Sequence, residues 1–409
     1  MNHVSLAAGN KSRFSTVVTG LLAILLVICV VYDPSEAFKA SGQGLTIWWR
    51  IVFPALLPFV VLSQMLMAGG FAHGLGFLLE PFTRKLLGLP GSFGWVLPLG
   101  MTAGFPAAAE AAATLYKQGR ISAHEAERIA GASHYCSPML IVVVIGAGFF
   151  GRPELGLLLL GIHWAAGIAA GFTLHVFTPS HKTKEQAGAA ALTGPNHSRL
   201  RLAIRHMERA RQEDGRGFGK LLGDSVTSGV QTLMIIGGYM LIFAVIIHVI
   251  LQALPGQIFP VVVKNLLEVH LGTYAMSQTS SLAIPPVILT AMLSASLGWS
   301  GLCAYLQVRA VLGPAGIRER SFLVNRLLHG AYAYIITLLS WKPLSTWLPG
   351  SLPAYAENKG YALWSDTPTA WLPNWRLAIG VMEWQFWMLG LLTLGILAIA
   401  YVWRRSSEH

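Results

Sequence analysis

The chain has 409 residues, of which 54% are hydrophobic and only 11% are charged, a composition that excludes an ordinary soluble domain. Its apolar blocks are about 20 residues long, enough to cross a bilayer as a helix, so we expect an integral membrane protein with several spans. Basic residues on the cytoplasmic side of the membrane explain the net charge of +11 better than nucleic-acid binding does.

The first apolar run follows Lys11 and Arg13. It favours an uncleaved signal anchor over a cleaved signal peptide, because no convincing cleavage site closes it. Residues 138–150 are too few to cross the bilayer alone, which indicates part of a re-entrant or broken element. The predicted spans are residues 15–32, 45–70, 93–116, 138–150 with 155–178, 228–253, 282–312, 322–342 and 380–403.

A basic segment divides the chain, with nine Lys and Arg residues between positions 182 and 220. This charge predicts a cytoplasmic loop. Residues 198–213, SRLRLAIRHMERARQE, have helical spacing, and a solvated charged helix is favoured over a helix lying on the inner leaflet. The loop 342–376 is aromatic and poor in charge, so we expect it outside the membrane. Counting positive charges also places Arg326 on the cytoplasmic side.

The two sides of the basic segment carry the same order of parts. An LLE triplet ends at Glu80 and again at Glu268, and a Gly-aromatic pair follows at Gly104-Phe105 and at Gly298-Trp299. Equivalent spans would cross the membrane in opposite directions. We therefore expect an all-α, polytopic membrane fold with two inverted repeats that contain broken or re-entrant helices, the architecture of many secondary transporters.

This organisation predicts five regions. They are a signal-anchor helix (1–40), a first transmembrane repeat (41–178), a basic cytoplasmic loop (179–222), a second transmembrane repeat (223–345), and an external Trp-rich loop with a C-terminal span (346–409).

The Gly-Phe-Pro stretch at residues 104–106 is the first candidate for a binding site. Pro106 removes a backbone donor and Gly104 allows close approach, so a helix end is expected at membrane depth, where its N–H groups attract an anion. A packing kink is the alternative. Glu110, one turn later, is costly in hydrocarbon unless it faces a cavity or a partner. It is the candidate for coupling to a proton or sodium ion, with a structural partner as the alternative.

Neutral polar side chains cluster beside the other breaks. Hydroxyl and amide groups suit a polar organic ligand or a partly dehydrated ion, whereas hydrogen bonding between helices is the alternative. The candidate substrate-binding residues are Gly104, Phe105, Pro106, Ser133, Ser137, Thr279, Ser280, Gly298, Ser300 and Gln307.

Catalytic signatures are missing from the sequence: it has no Walker loop, HExxH or GxSxG motif. The three cysteines lie in apolar segments and form neither a disulfide framework nor a metal spacing. We therefore expect no enzyme, no metal site and no cofactor. The expected partners are a small-molecule anion, a coupling ion and the lipid bilayer; the sequence is also compatible with a homo-oligomer.

Several motifs carry a resemblance to a known family. They are GLTIWWRIVFPALLPFVVLSQMLMAGG, LLEPFTRKLLGLPGSFGWVLPLGMTAGFPAAA, GRISAHEAERI, SVTSGVQTLMIIGGYMLIFAVI and LGWSGLCAYLQV. With them, residues 15–345 resemble the YlbJ-type sporulation integral membrane proteins. These proteins carry the nucleoside-recognition or Gate domain, which is similar to the core of concentrative nucleoside transporters.

The resemblance implies a spore-forming bacterium and a place in its outer forespore membrane or cell membrane. It implies movement of dipicolinic acid from the mother cell across the outer forespore membrane. Half-helix N-termini at residues 104–107 and 298–301 would cradle the two carboxylates of this ligand. The alternatives are a nucleoside or cation transporter of the Gate class and a non-transporting scaffold for spore-envelope assembly.

Overall fold

The structure is a computed structural model that describes residues 23–88, 94–177, 199–253, 259–278 and 285–347, with isolated positions before residue 23. Regular secondary structure in these ranges is helical throughout. The helices are α1 (Ala23–Tyr32), α2 (Pro34–Ile47), π1 (Trp48–Val52), α3 (Phe53–Ala68), α4 (Phe71–Leu87), α5 (Val96–Ala103), α6 (Phe105–Lys117), α7 (Ala123–Ala132), π2 (Met139–Phe149), α8 (Pro153–Phe177), α9 (Arg199–Asp214), α10 (Phe218–Ala253), α11 (Phe259–Leu267), α12 (Val269–Ser277), α13 (Pro286–Trp299), α14 (Gly301–Leu312) and α15 (Arg320–Trp347).

Helical segments long and apolar enough to cross a membrane confirm an integral membrane protein. Among the described residues they are Pro34–Ala68, Pro153–Phe177, Phe218–Ala253, Pro286–Leu312 and Arg320–Trp341. The first begins before the predicted residue 45, because the Asp33 carboxylate accepts a hydrogen bond from the Glu36 amide (3.2 Å) and starts a new helix there. The predicted span 380–403, and the loop 342–376 after residue 347, lie outside the described residues.

The α2–π1–α3 segment packs against α10 through a tryptophan. The indole N–H of Trp48 donates to the carbonyl oxygen of Leu233 (3.0 Å), and the ring lies directly over Gly237, where a Cβ atom would collide with it. The wider π-helical turn just before Pro54 carries this side chain, in keeping with the local irregularity that such turns introduce. The close approach of these helices therefore depends on the absence of a side chain at Gly237 of α10.

The basic segment contributes a helix, as its spacing predicts. Helix α9 packs on α4, where the His206 ring stacks on Phe77 at 4.6 Å between centroids. Met207 lies against Gly70 and Gly74. The expectation of a solvated helix therefore holds only for the outer face of α9, because its inner face is docked on the first half of the chain.

The short apolar segment after Pro138 forms π2, most of which is buried. The chain turns at Gly151 into α8, and a Cβ on Gly146 would come within 2.8 Å of the Gly156 Cα atom. A helix of 11 residues cannot cross about 30 Å of hydrocarbon. This agrees with the prediction that the segment does not cross the membrane alone.

The two LLE triplets occupy different structural positions. Glu80 lies inside α4 and pairs with Arg84 (2.6 Å). Glu268 is instead the buried N-cap of α12, where its carboxylate accepts from the Leu271 amide and contacts the His270 ring nitrogen, both at 2.6 Å. The triplets therefore do not mark equivalent positions, and the inverted repeat stays a prediction.

The close contact of Trp48 with α10 gives a stability prediction. Gly237→Ala should lower the free energy of unfolding by about 1–3 kcal/mol, because the methyl group overpacks the indole ring. The neighbouring Gly238 has open space around its Cβ position, so Gly238→Ala is the matched control and should be neutral or slightly stabilising. Thermal unfolding in detergent measures both variants, and equal midpoints would contradict the proposed packing constraint.

Candidate functional site

The first helix break is at Gly104, as the sequence predicts. Its backbone has φ 95° and ψ 177°, a conformation open essentially to glycine alone. Helix α5 ends immediately before it, α6 begins at Phe105, and no side chain caps the new N-terminus. Pro106 lies in the first turn of α6, where its missing N–H removes no helical hydrogen bond. The break therefore leaves the first N–H groups of a half-helix without intrahelical partners.

The second break lies two residues later than predicted. Gly298 is still inside α13, and the helix is interrupted at Ser300 and Gly301, whose φ angles are 68° and 84°. A Cβ on Gly298 would approach the Gly330 Cα atom to 2.8 Å, so this glycine serves the contact between α13 and α15. Placing the break at Gly298-Trp299 is wrong, because the left-handed conformation belongs to the next pair. Helix α14 also begins without a side-chain cap.

A non-helical stretch between α7 and π2, residues 133–137, contacts both breaks. We call it the unwound segment. A Cβ on Gly104 would lie 3.6 Å from the Ser137 Cβ atom. The sulfur of Cys136 lies 3.9 Å from the Ser300 hydroxyl oxygen and 3.6 Å from the Leu297 carbonyl oxygen. The two breaks therefore meet on one piece of backbone, which is the candidate site.

Arg326 in α15 holds this arrangement together from the buried side. Its terminal N–H groups donate to the carbonyl oxygens of His134 (2.6 Å) and Gly131 (2.8 Å), and to that of Gly298 at 3.4 Å. Carbonyl groups at the C-terminal end of a helix lack intrahelical partners and carry partial negative charge. One guanidinium therefore caps α7 and α13 together. Its exposure is 2%, so Arg326 lies in the protein interior and is not one of the loop charges on which charge counting relies; its placement on the cytoplasmic side stays a prediction.

Two histidines hold the middle of the unwound segment. The Cys136 amide donates to Nε2 of His163 in α8 (3.0 Å), and Nε2 of His329 donates to the His163 carbonyl oxygen (2.8 Å). The two rings stack at 4.4 Å between centroids. Because Nε2 of His163 accepts a hydrogen bond, a neutral ring carries its hydrogen on Nδ1. Helices α8 and α15 thus fix the segment jointly.

Most of the predicted binding residues lie around the unwound segment. Phe105 stacks on His134 at 4.7 Å between centroids. The Ser137 hydroxyl accepts from the Leu140 amide (3.3 Å), and the Ser133 hydroxyl is buried without a hydrogen-bond partner among the described residues.

The other predicted residues are more distant or undescribed. Gln307 lies farther along α14 and donates to the Cys303 sulfur at 3.3 Å. Thr279 and Ser280 lie outside the described residues. In the same half, the Ser294 hydroxyl in α13 accepts a hydrogen bond from the Thr337 hydroxyl in α15 (2.8 Å). For Ser294, this is the hydrogen bonding between helices that is the alternative to ligand binding.

Glu110 lies on the exposed side of α6. Its carboxylate makes no hydrogen bond or ion pair with the residues that the structure describes. The structural-partner alternative therefore finds no support in this part of the chain. Its role in ion coupling stays a prediction.

The sequence motifs did not indicate Arg326, His163 and His329 as site residues. A signal was available, because Arg326 and His329 are one turn apart within the predicted span 322–342, and His163 lies within the predicted span 155–178. Ionisable residues at membrane depth face the protein interior and usually mark function. Charge counting for topology treats Arg326 as a loop charge and carries no information about a buried functional role.

Comparisons with known proteins agree with the membrane fold. The family model for the nucleoside-recognition domain, Gate, matches residues 49–150, which include the first break and the unwound segment. The chain is 33% identical to the sporulation integral membrane protein YlbJ of Bacillus subtilis (strain 168) over 394 residues, covering 91% of this chain and 93% of that protein. No solved structure matches the chain. The extent of this similarity shows that the chain belongs to the family of the sporulation integral membrane protein YlbJ.

Proposed function

We propose that this protein is a secondary transporter or facilitator that moves a small organic anion, namely dipicolinate, across the outer forespore membrane without changing it chemically. The observation that carries the proposal is the meeting of two helix breaks on the unwound segment, through Gly104 with Ser137 and Ser300 with Cys136. Broken helices that meet inside the fold are the usual way in which secondary transporters build a binding site.

The half-helix ends supply a chemical reason for an anionic substrate. Helices α6 and α14 begin at Phe105 and Gly301 with no side chain capping either end. Free N–H groups and the positive end of the helix dipole attract carboxylates. Dipicolinate has two carboxylates on a planar ring, so two such ends match its two charges. Membership of a family of sporulation membrane proteins supports a role in sporulation, the process for which the resemblance implies this substrate.

A nucleoside is the second candidate substrate. The Gate model, whose description is nucleoside recognition, covers residues 49–150. Hydroxyl and amide groups at Ser137, Ser300 and Gln307 could bind sugar hydroxyls and base edges. Nucleosides carry no charge, so this candidate leaves the uncapped helix ends without a matching ligand group.

Flux measurements separate the candidates. Proteoliposomes should take up labelled dipicolinate with saturable kinetics, under a proton or sodium gradient if transport is coupled and down the dipicolinate gradient alone if the protein is a facilitator. Uridine uptake into these proteoliposomes should be no faster than its uptake into protein-free vesicles. Uridine flux without dipicolinate flux would favour the nucleoside candidate. If neither compound moves under any gradient, transport is contradicted and the scaffold alternative gains support.

A substitution at the first break tests the position of the site. Gly104→Ala should reduce dipicolinate flux at least ten-fold, because Ala strains the backbone that ends α5 and starts α6. Gly119 also has a positive φ (68°), and there is open space around its Cβ position. Gly119→Ala is therefore the matched control. Both variants should lose about 1–2 kcal/mol of stability, but only Gly104→Ala should lose flux. Equal flux in the two variants would contradict a substrate site at the Gly104 break.

The ion-coupling role of Glu110 has its own test. In a coupled transporter, Glu110→Gln should change how dipicolinate flux depends on pH or on the sodium gradient, because the amide cannot exchange a proton or balance a cation. Glu80→Gln is the control, since that carboxylate pairs with Arg84 near the end of α4. Identical gradient dependence of Glu110→Gln and the wild type would remove Glu110 from the mechanism.

A further inference from the structure

We propose that Arg326, together with the buried donors of Tyr135 and His163, forms the subsite that recognises a carboxylate group of the substrate. The inference rests on the proposed function for the identity of the substrate. It adds the residue whose positive charge binds the substrate, which the sequence motifs did not indicate. Two observations carry it: a buried positive charge without an acidic partner, and a surplus of buried donors beside it.

The charge of Arg326 is not balanced by an acidic side chain. Among the described residues, no carboxylate oxygen lies within 4.0 Å of its guanidinium. The buried acids are engaged elsewhere: Glu127 accepts from the Ser321 amide (2.5 Å) and Glu268 caps α12. Burying a charge is costly, and carbonyl dipoles offset that cost only in part. An anionic ligand would supply the missing charge.

Three of the buried atoms without partners around Arg326 can each donate a hydrogen bond. Its Nε–H, the Tyr135 hydroxyl and Nδ1 of His163 are buried and have no hydrogen-bond partner among the described residues. Arginine Nε can only donate, and Nδ1 of neutral His163 carries the hydrogen because Nε2 accepts from Cys136. Buried polar atoms are nearly always paired. A ligand with several acceptor oxygens would pair these atoms, whereas a cation would not.

These donors belong to one contiguous group. Nδ1 of His329 lies 3.2 Å from the Arg326 guanidinium. The Tyr135 ring packs edge-on against both histidines, with centroid distances of 5.5 Å to His163 and 5.6 Å to His329. A planar aromatic carboxylate therefore meets a charge, donors and ring faces in the same place.

Binding at this subsite has a structural consequence. Arg326 now donates to the carbonyl oxygens of Gly131 and His134, and a carboxylate forms stronger, charge-assisted hydrogen bonds than a carbonyl does. When a carboxylate replaces these acceptors, the C-terminal end of α7 and the unwound segment lose their cap. Substrate binding thus releases the backbone on which both helix breaks rest.

Tyr135→Phe tests the subsite with little risk to folding. The hydroxyl has no partner among the described residues, so its removal should leave the unfolding temperature unchanged or slightly higher. Dipicolinate affinity, measured by calorimetry on the detergent-purified protein, should fall about three- to ten-fold. Tyr239→Phe in α10, outside this group, should bind like the wild type. Unchanged affinity of Tyr135→Phe would exclude its hydroxyl and overturn the subsite as proposed.

Arg326 is tested through the charge of the ligand. The wild type should bind dipicolinate at least ten-fold more tightly than its neutral diamide. Arg326→Lys should keep part of this preference and Arg326→Gln should lose it, whereas Arg84→Gln, a surface control, should keep all of it. If Arg326→Gln does not fold, the wild-type preference and Arg326→Lys still decide: equal binding of acid and diamide by the wild type overturns the proposal.

The two proposals can fail separately. If carboxylates bind with the predicted dependence on Tyr135 and Arg326 but no dipicolinate flux is found, the subsite stands and the transport proposal fails. If dipicolinate flux is present and these variants, folded and stable, transport and bind it like the wild type, the transport proposal stands and the subsite is wrong.

Discussion

The core of this structure depends on a single buried guanidinium. Arg326 donates to carbonyl oxygens near the ends of α7 and α13, two helices that come from opposite sides of the basic segment. In hydrocarbon, an unpaired carbonyl group costs several kcal/mol, so interrupted helices can exist at this depth only if something satisfies their ends. Here one side chain does so for both helices and joins the two halves.

Close backbone approach makes that arrangement fit. A Cβ on Gly100 would collide with the carbonyl oxygen of Ser133, and a Cβ on Gly298 would come within 2.8 Å of the Gly330 Cα atom. Small residues let α5 reach the unwound segment and let α13 lie directly on α15. In membranes, where apolar burial gives little drive for helix association, such close packing and interhelical hydrogen bonds take its place.

Local chemistry explains which features the sequence could predict. The break at Gly104 was predictable because Gly-Phe-Pro determines backbone conformation within three residues, and the spans were predictable because hydropathy depends on composition. The second break was misplaced because Ser300 adopts φ 68° without being a glycine. The role of Arg326 was missed because its carbonyl partners at Gly131 and His134 are almost 200 residues away in the chain, and periodicity carries no information about such contacts.

Under the proposed function, helix α6 links the substrate site to Glu110 without direct contact between substrate and ion. Phe105 stacks on His134 in the unwound segment, and Glu110 lies on the exposed side of the same short helix, α6. A displacement of the unwound segment on release from Arg326 would tilt α6 at its first residue and move the Glu110 carboxylate with it. In this arrangement, coupling of substrate binding to ion binding would need only the rigid half-helix α6, with the anion near its N-terminus and the ion at its exposed face.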